Sequence, residues 1–259
     1  MSFFKKALAS VGIGSAKVDT KLHEAELYPG EWIEGEVHII GGNIEQEIDD
    51  IYMFLETFYE KEVDDKNIKK TVRLHQHQIS SRFTLQPDEE KQIPFSFQIP
   101  DDTPLTIGKQ SVYLRTGLDI KNAIDPGDND HLQIIPHPMM NKIISATEQL
   151  GFRLYKVDCE ENRKLGRRFP FVQEFEFKPY GDYKKYLDEL EMIFYLDGEQ
   201  LEVLFEIDRR ARGFFGILAE EFDMDERFAR IIFHESDLLQ RSTEDISYQL
   251  ENIIDSQLK

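Results

Sequence analysis

Apolar and polar residues alternate along residues 27–42. The positions that share one side of an extended chain are Ile33, Gly35, Val37 and Ile39. The other side carries glutamates and a histidine, and a period of two is typical of a half-buried strand. Pro29 and Gly30 come before this run and are suited to reversing the chain. The stretch therefore predicts a turn and then a strand that buries one face, as in an antiparallel sheet.

Strand-like segments continue through the first half of the chain, with turn signals between them. Alternating or apolar runs occupy residues 51–63, 71–79, 92–99, 111–120 and 131–136. Between them we expect a long hairpin connection at residues 64–70 and a loop at residues 122–130. The number and rhythm of these runs favour a β-sandwich over residues 15–140.

The strand pattern restarts after residues 141–150, which we interpret as an irregular linker. Strand candidates occupy residues 151–161, 169–179, 190–208 and 226–234. The clearest local signal is a pair of alternating runs around Asp197 and Gly198, a dipeptide suited to the positive φ angles of a type I′ hairpin turn. We therefore expect a second β-sandwich over residues 151–236, and an all-β fold class.

From Leu239 onward the apolar period changes to that of a helix. Ile246, Leu250 and Ile253 recur at spacings of four and three, and Ser242 with Asp245 resembles a capping box. We predict an amphipathic C-terminal helix over residues 237–259. It either lies on the second sandwich or exchanges between that domain and a partner, which would make its apolar residues candidate partner contacts.

The first fourteen residues also place apolar side chains at helical spacing. Lys5 and Lys6 lie beside them, and glycines end the pattern. We predict a short N-terminal helix over residues 1–14. We favour its docking on its own domain, with membrane recruitment by this amphipathic helix as the alternative.

Composition narrows the function classes. The chain has 259 residues, 40% of them hydrophobic, and 19 are phenylalanines, so it can bury a real core. Its formal net charge of −19 repels nucleic-acid backbones and anionic lipids. A single cysteine cannot form an internal disulfide, and no signal sequence or apolar span is recognisable, so we expect a cytoplasmic protein.

Three aspartates cluster at Asp125, Asp128 and Asp130. They could form a calcium loop, but the ligand register of an EF-hand is missing. We favour an Asp-rich turn capped by its own side chains. A third hypothesis, that they pair with arginines near the domain boundary, makes them candidate interdomain contacts.

Arginines cluster at Arg209, Arg210 and Arg212 in this acidic chain. They could grip a phosphate or an acidic partner by bidentate hydrogen bonds, or they could pair with nearby acids and contribute little. Both interpretations stay open. Residues 163–168 are a second candidate of the same kind.

The remaining candidate chemistry is weak. His75 and His77 share one strand face, but without a third ligand an exposed polar face is the better interpretation than a metal site. Cys159 lies between acids, which disfavours a reactive thiolate. No phosphate-binding loop or nucleophile elbow is recognisable, so we expect a protein that is not an enzyme and needs no cofactor or metal.

Four motifs carry a family resemblance over nearly the whole chain. In order they are YPGEWIEGEV, IPFSFQIPDDTPLT, GLDIKNAIDPGDND and RRFPFVQEFEFKP. The chain resembles the bacterial sporulation-control proteins of the stage-zero M type, the SpoOM family, within the arrestin-like clan.

The resemblance implies two tandem immunoglobulin-like, arrestin-like β-sandwiches that act as a regulatory scaffold in the cytoplasm. It implies no catalytic residues. We therefore expect a non-enzymatic adaptor that controls sporulation by binding other proteins through strand edges, loops and the terminal helix.

Overall fold

A computed structural model describes residues 16–64, 66–120, 127–209 and 228–258 of the protein. The expected N-terminal helix at residues 1–14 lies outside these ranges. The strands are β1 (Lys17–Leu22), β2 (Glu26–Leu27), β3 (Trp32–Ile40), β4 (Gln46–Val63), β5 (Lys66–Ser80), β6 (Phe83–Leu85), β7 (Glu90–Gln98), β8 (Val112–Ile120), β9 (Gly127–Ile134), β10 (Phe152–Glu161), β11 (Phe171–Pro179), β12 (Leu187–Asp197), β13 (Gln200–Arg209) and β14 (Phe228–His234). The helices are α1 (Pro138–Gln149), α2 (Glu235–Leu238) and α3 (Thr243–Leu258), with a 3-10 turn at Asp182–Lys185.

Strands dominate these elements, so the coarser part of the expected all-β fold class, a mostly β protein, is confirmed. The chain divides into two compact units. Unit 1 comprises residues 1–58, 71–106 and 111–135, and unit 2 comprises residues 59–70, 107–110 and 136–259. β4 and β5 each contribute residues to both units.

Unit 1 contains two sheets. One has the order β1, β3, β7, and the other contains β2, β9, β8 and the first part of β4, with β5 and β6 also paired to β4. The predicted face of β3 is confirmed, because Ile33, Val37 and Ile39 are buried. The hydroxyls of Thr20 in β1 and Thr116 in β8 are 2.7 Å apart, so side chains of the two sheets meet in the interior.

The turn before β3 forms as predicted. The backbone N–H of Glu31 donates to the carbonyl of Tyr28 at 3.1 Å, and Gly30 between them has a φ angle of +85°. This angle is costly for residues with a side chain. Within β3, a Cβ on Gly35 would collide with the Lys21 carbonyl oxygen, so this glycine allows β1 and β3 to approach closely.

Two expected connections in the first half are wrong. Residues 66–70 belong to β5, so only two residues separate β4 from β5, and the first of them, Asp64, has a φ angle of +50°. Residues 127–130 belong to β9. Residues 66–70 are mostly exposed, and residues 127–130 alternate between exposed and half-buried. Because both segments are polar, they show no apolar alternation that could reveal a strand.

Unit 2 contains a five-stranded antiparallel sheet in the order β10, β11, β12, β13, β14, with the end of β4 beside β10. Its buried face is lined by Phe152, Phe175, Phe177, Met192, Leu201, Val203 and Phe205. Helices cover this face. The Thr147 hydroxyl of α1 is 3.9 Å from the Met192 sulfur, and the Ser247 hydroxyl of α3 donates to the Ala146 carbonyl of α1 at 2.9 Å.

The described residues of unit 2 therefore do not form the expected second sandwich, because helices cover the sheet where a second sheet was expected. The linker expected at residues 141–150 is also wrong, since most of it belongs to α1. Pro138 occupies the first turn of this helix, and the His137 side chain accepts a hydrogen bond from the Met139 N–H at 3.3 Å. The residues that α1 buries are Met139, Met140, Ile143, Ile144, Ala146 and Thr147.

The hairpin between β12 and β13 forms where it was predicted, with its turn displaced by one residue. Asp197 pairs with Gln200, so Gly198 and Glu199 are the central residues. Gly198 has a φ angle of +54°. Along β13, Leu201, Val203 and Phe205 are buried on the predicted face.

Within the described ranges, no helix combines the length and the apolar composition that crossing a membrane would require.

Candidate interaction sites

The C-terminal helix is an integral part of unit 2. Ile246, Leu250 and Ile254 of α3 are fully buried, and Ile253 is half-buried. Lys142 in α1 donates to the Leu239 carbonyl at 2.9 Å. In this arrangement Ile246 and Leu250 pack inside their own unit. They could contact a partner only if the helix detached from the sheet.

The N-cap half of the predicted capping box at the start of α3 is confirmed. The Ser242 hydroxyl accepts a hydrogen bond from the Asp245 N–H at 3.1 Å and donates to the Asp245 carboxylate at 2.7 Å. Glu244 and Asp245 place negative charge in the first turn, where the helix dipole favours it. These contacts fix where the helix begins.

Two of the three clustered aspartates are in β9 of unit 1, and Asp125 lies outside the described residues. The Asp128 carboxylate accepts the backbone N–H of Thr20 in β1 at 2.6 Å and its neighbour Asn129 N–H at 2.9 Å. Asp128 and Asp130 therefore belong to a strand, and the turn interpretation is wrong for them. Asp128 instead occupies a backbone donor of β1.

Asp130 is the member of this cluster whose carboxylate is poorly accommodated. One of its carboxylate oxygens is buried without a hydrogen bond. Burial raises the pKa of Asp130 to about 6, with further contributions from the charges of Asp128 and Asp19, while Lys21 opposes the shift. Among the residues that the structure describes, no group of three histidine, cysteine or acidic side chains is arranged to hold a metal ion.

The arginine cluster falls largely outside the described residues. Arg209 is the last residue of β13, and Arg210 and Arg212 are not described. In the second arginine candidate, Arg167 donates to Glu202 at 2.7 Å, and its guanidinium lies 3.9 Å from the centre of the Tyr195 ring. Arg167 is thus engaged within unit 2.

His75 and His77 stack on a buried aromatic ring. Their ring centroids are 6.3 Å apart and lie 5.2 Å and 4.9 Å from that of Phe97. Both histidines are half-buried, so the exposed face expected for them is wrong. Their rings contribute to the packing of unit 1.

The single thiol is inaccessible. Cys159 is buried in β10, and burial raises its pKa, with the negative charges of Asp158 and Glu174 adding to the effect. A thiolate at this position is strongly disfavoured.

A group of glutamates lies on the sheet face of unit 2 opposite the helices. Strand register places Glu176, Glu191 and Glu206 side by side on β11, β12 and β13, and Glu174 lies on the same face of β11. The pKa values of Glu174 and Glu191 are raised to about 7, first by burial and then by neighbouring carboxylates. Sequence reasoning missed this group, although acidic residues alternate with apolar ones in all three strands.

A small apolar cluster lies beside these glutamates. Val172, Ile193 and Leu204 are buried there, with Leu165 and Tyr195 packed against them. The Tyr195 hydroxyl donates to the Leu165 carbonyl at 2.8 Å. The loop between β10 and β11 therefore covers part of this face.

The outermost strand of the same sheet is β14. It pairs with β13 over seven consecutive residues without a register shift, from Gln200↔His234 to Glu206↔Phe228. In the described part of the chain, β13 is its only strand partner. Half of the backbone N–H and C=O groups of β14 therefore point away from the sheet.

These features define a β-rich protein of two units, and among the described residues the sheet of unit 2 ends in an open strand edge. A family model described as SpoOM protein matches residues 4–211. The chain belongs to this family, which confirms the resemblance drawn from its motifs.

One similar protein supports this assignment both by its sequence and by its crystal structure. The chain is 47% identical to the sporulation-control protein Spo0M of Bacillus subtilis over 256 residues, which cover 98% of both chains. The crystal structure of Spo0M from Bacillus subtilis matches with a TM-score of 0.85 and 41% identity. That match covers 95% of this chain and 100% of the other.

Proposed function

We propose that the protein is a non-enzymatic regulatory adaptor of the cytoplasm that controls sporulation by binding other proteins. The similarity to a sporulation-control protein along almost the whole length of both chains supports the regulatory part of this proposal. Because the match leaves no long segment of either chain uncovered, it favours a role shared by the whole proteins over the sharing of a single domain.

The open edge of β14 is the observation that carries the adaptor mechanism. An edge strand presents a row of backbone donors and acceptors to which another chain can add a strand. Binding of this kind needs neither a cofactor nor a catalytic group. A net charge of −19 makes proteins better candidate partners than nucleic acids.

Membrane recruitment through residues 1–14 stays a prediction, because these residues lie outside the described ranges. Flotation of the full chain with liposomes, compared with a chain that lacks these residues, would test it.

The proposed function can be tested in Bacillus subtilis cells that lack their own Spo0M. We expect the chain to restore normal counts of heat-resistant spores. A photo-crosslinking residue at Ile232 in β14 should also capture a defined protein in sporulating cells, whereas the same residue at exposed Tyr180 should not.

Failure to restore the spore counts with a folded chain at normal abundance would contradict the regulatory role. Restored counts without any crosslinked protein, from either position, would contradict the adaptor mechanism.

A further inference from the structure

The strand edges of the described residues differ in how well they could accept another strand. β7 contains Pro94, which has no backbone N–H and prevents regular pairing at that position. In β1, the N–H of Thr20 is taken by the Asp128 carboxylate at 2.6 Å. Both edges of this three-stranded sheet are therefore blocked.

Other edges carry further protective features. The first half of β5 bears Lys66, Lys69, Lys70 and Arg73, whereas residues 74–80 carry no such charge, and charged side chains discourage edge pairing. The pairing of β10 with β11 is interrupted by a register shift between Leu154 and Lys156, and such bulges twist an edge away from regular pairing. β2 has only two residues.

β14 lacks most of these protective features. Its sequence is FARIIFH, with no proline, and its register with β13 is continuous. Its one arginine, Arg230, is 3.2 Å from the Glu202 carboxylate on the neighbouring strand. Native proteins usually protect long, regular edges, so the continuous, proline-free pairing of β14 among the described strands indicates an edge that is used.

The side chains of β14 leave apolar surface for an added strand to cover. Ile232 is 52% exposed on the face that carries Arg230. Ala229 and Ile231 are half-buried on the helix-covered face. Ile231 and Ile232 point to opposite faces of the sheet. An added strand with apolar residues at alternate positions would therefore pack beside one of the two, depending on the face that its apolar residues share.

Charge indicates the kind of strand that fits. Acidic residues flank the end of β14 at His234. Glu235 follows it directly and its N–H donates to the Glu199 carbonyl at 2.8 Å, and Asp237 lies two residues further on, 3.8 Å from Arg241. A second copy of this chain would bring another net charge of −19, which opposes self-association. A cationic segment is attracted instead.

We propose that β14 binds an extended segment of a partner protein, with apolar residues at alternate positions and lysine or arginine at the end that lies beside Glu199, Glu235 and Asp237. This inference rests on the proposed adaptor function and identifies its binding site and the chemistry of its partner.

A synthetic peptide of this design serves as the probe. It carries valines at alternate positions and lysines at one end. One control peptide replaces the lysines with glutamates, and another places prolines at the two central positions, which removes backbone donors along both of its edges. Binding to the full chain is measured by fluorescence anisotropy at two salt concentrations.

Ile232→Lys in the full chain should weaken binding of the lysine peptide by about tenfold, because it removes apolar cover and adds a like charge at the edge. The matched control is Tyr248→Lys on α3, where the side chain is 66% exposed and the charge change is identical. The control should bind within about twofold of the parent chain. Alternate amides of β14 should also gain hydrogen-exchange protection when the lysine peptide binds.

Several results would overturn the inference. The first is binding of the lysine peptide by the Ile232→Lys chain that equals binding by the parent chain, and the second is binding of the glutamate or proline peptide that equals binding of the lysine peptide. The third is hydrogen-exchange protection of amides outside β14 and none within it. The fourth is a concentration-dependent dimer of the chain that Ile232→Lys abolishes. Full spore counts with the Ile232→Lys chain would also overturn it while leaving the proposed function in place. Loss of function with the unaltered chain would contradict the proposed function, and the peptide measurements would still decide whether β14 is the site.

Discussion

The two units bury their sheets in different ways. In unit 1 the strands of one sheet pack against those of another, as the contact between the Thr20 and Thr116 hydroxyls illustrates. In unit 2 a single described sheet packs against α1 and α3, and its other face carries half-buried glutamates. The strand patterns are alike, because a strand that buries one face alternates in the same way whatever covers it.

The units also differ in their edges. The three-stranded sheet of unit 1 has a proline on one edge strand and an aspartate bound to the backbone of the other. In the described ranges, the sheet of unit 2 ends in β14, which has neither a proline nor a bound aspartate. Unit 2 therefore combines a helix-covered core with the surface that is best suited to binding, and the following predictions test this division.

The largest expected effect concerns the helix cover of unit 2. Leu250 is fully buried in α3, so Leu250→Ala should lower the free energy of unfolding by about 2–5 kcal/mol. Urea unfolding monitored by hydrogen exchange of β10–β13 amides would measure it. Tyr248→Ala on the exposed side of the same helix is the control, and equal small losses from both would show that α3 is not part of the core.

The second prediction concerns the glutamates on the opposite face. The pKa values of Glu174 and Glu191 rise from 4.5 to about 7 on folding, so the folded state holds extra protons between these values. Their stabilising contribution is complete below pH 4.5 and is lost as the pH rises through about 7. The charged groups that act on them are Lys156, Asp158, Glu160, Glu176, Glu189 and Glu206.

Replacing both glutamates with glutamine should therefore stabilise unit 2 at pH 8.5 by about 1–2 kcal/mol, after allowance for solvent screening. At pH 4.5 the effect should be small. The measurement is the urea midpoint at both pH values, and a double substitution that destabilises the protein at pH 8.5 would contradict the assigned repulsion.

The third prediction concerns the start of α3. Ser242→Ala removes the hydroxyl that accepts the Asp245 N–H and should cost about 1 kcal/mol. Ser236→Ala at an exposed position should change the urea midpoint little. Equal midpoints for the two variants would show that the capping box contributes nothing to stability.

The smallest expected effect lies in unit 1. The pKa of Asp130 rises from 3.8 to about 6 on folding, so its stabilising contribution is lost as the pH increases through about 6. Asp130→Asn should raise the free energy of unfolding of unit 1 by roughly a few tenths of 1 kcal/mol at pH 8. At pH 4 it should leave that free energy nearly unchanged. Loss of stability at pH 8 would instead indicate that the charged form makes a favourable contact.

The sequence predicted most strands because their buried residues alternate. It missed α1 because Met139, Met140, Ile143 and Ile144 come in adjacent pairs that resemble an irregular apolar stretch. Their spacing of four and Pro138 at the first turn were the available signals. The polar parts of β5 and β9 gave no apolar signal of either period.

The surfaces were harder to predict than the strands. Whether Glu174 and Glu191 share a face with other acids depends on strand register, which a single sequence does not specify. The open edge of β14 depends in the same way on which strands pair and in what order. The capping box at Ser242 was predictable, because its contacts are local.

The buried position of Cys159 gives the protein a built-in reporter. A thiol reagent can reach the sulfur only while β10 is transiently open, so the rate of modification counts opening events in unit 2 alone. Since the chain has no other cysteine, this measurement needs no engineered label. A slower modification rate in the presence of a partner would show that the bound partner reduces the opening of this sheet.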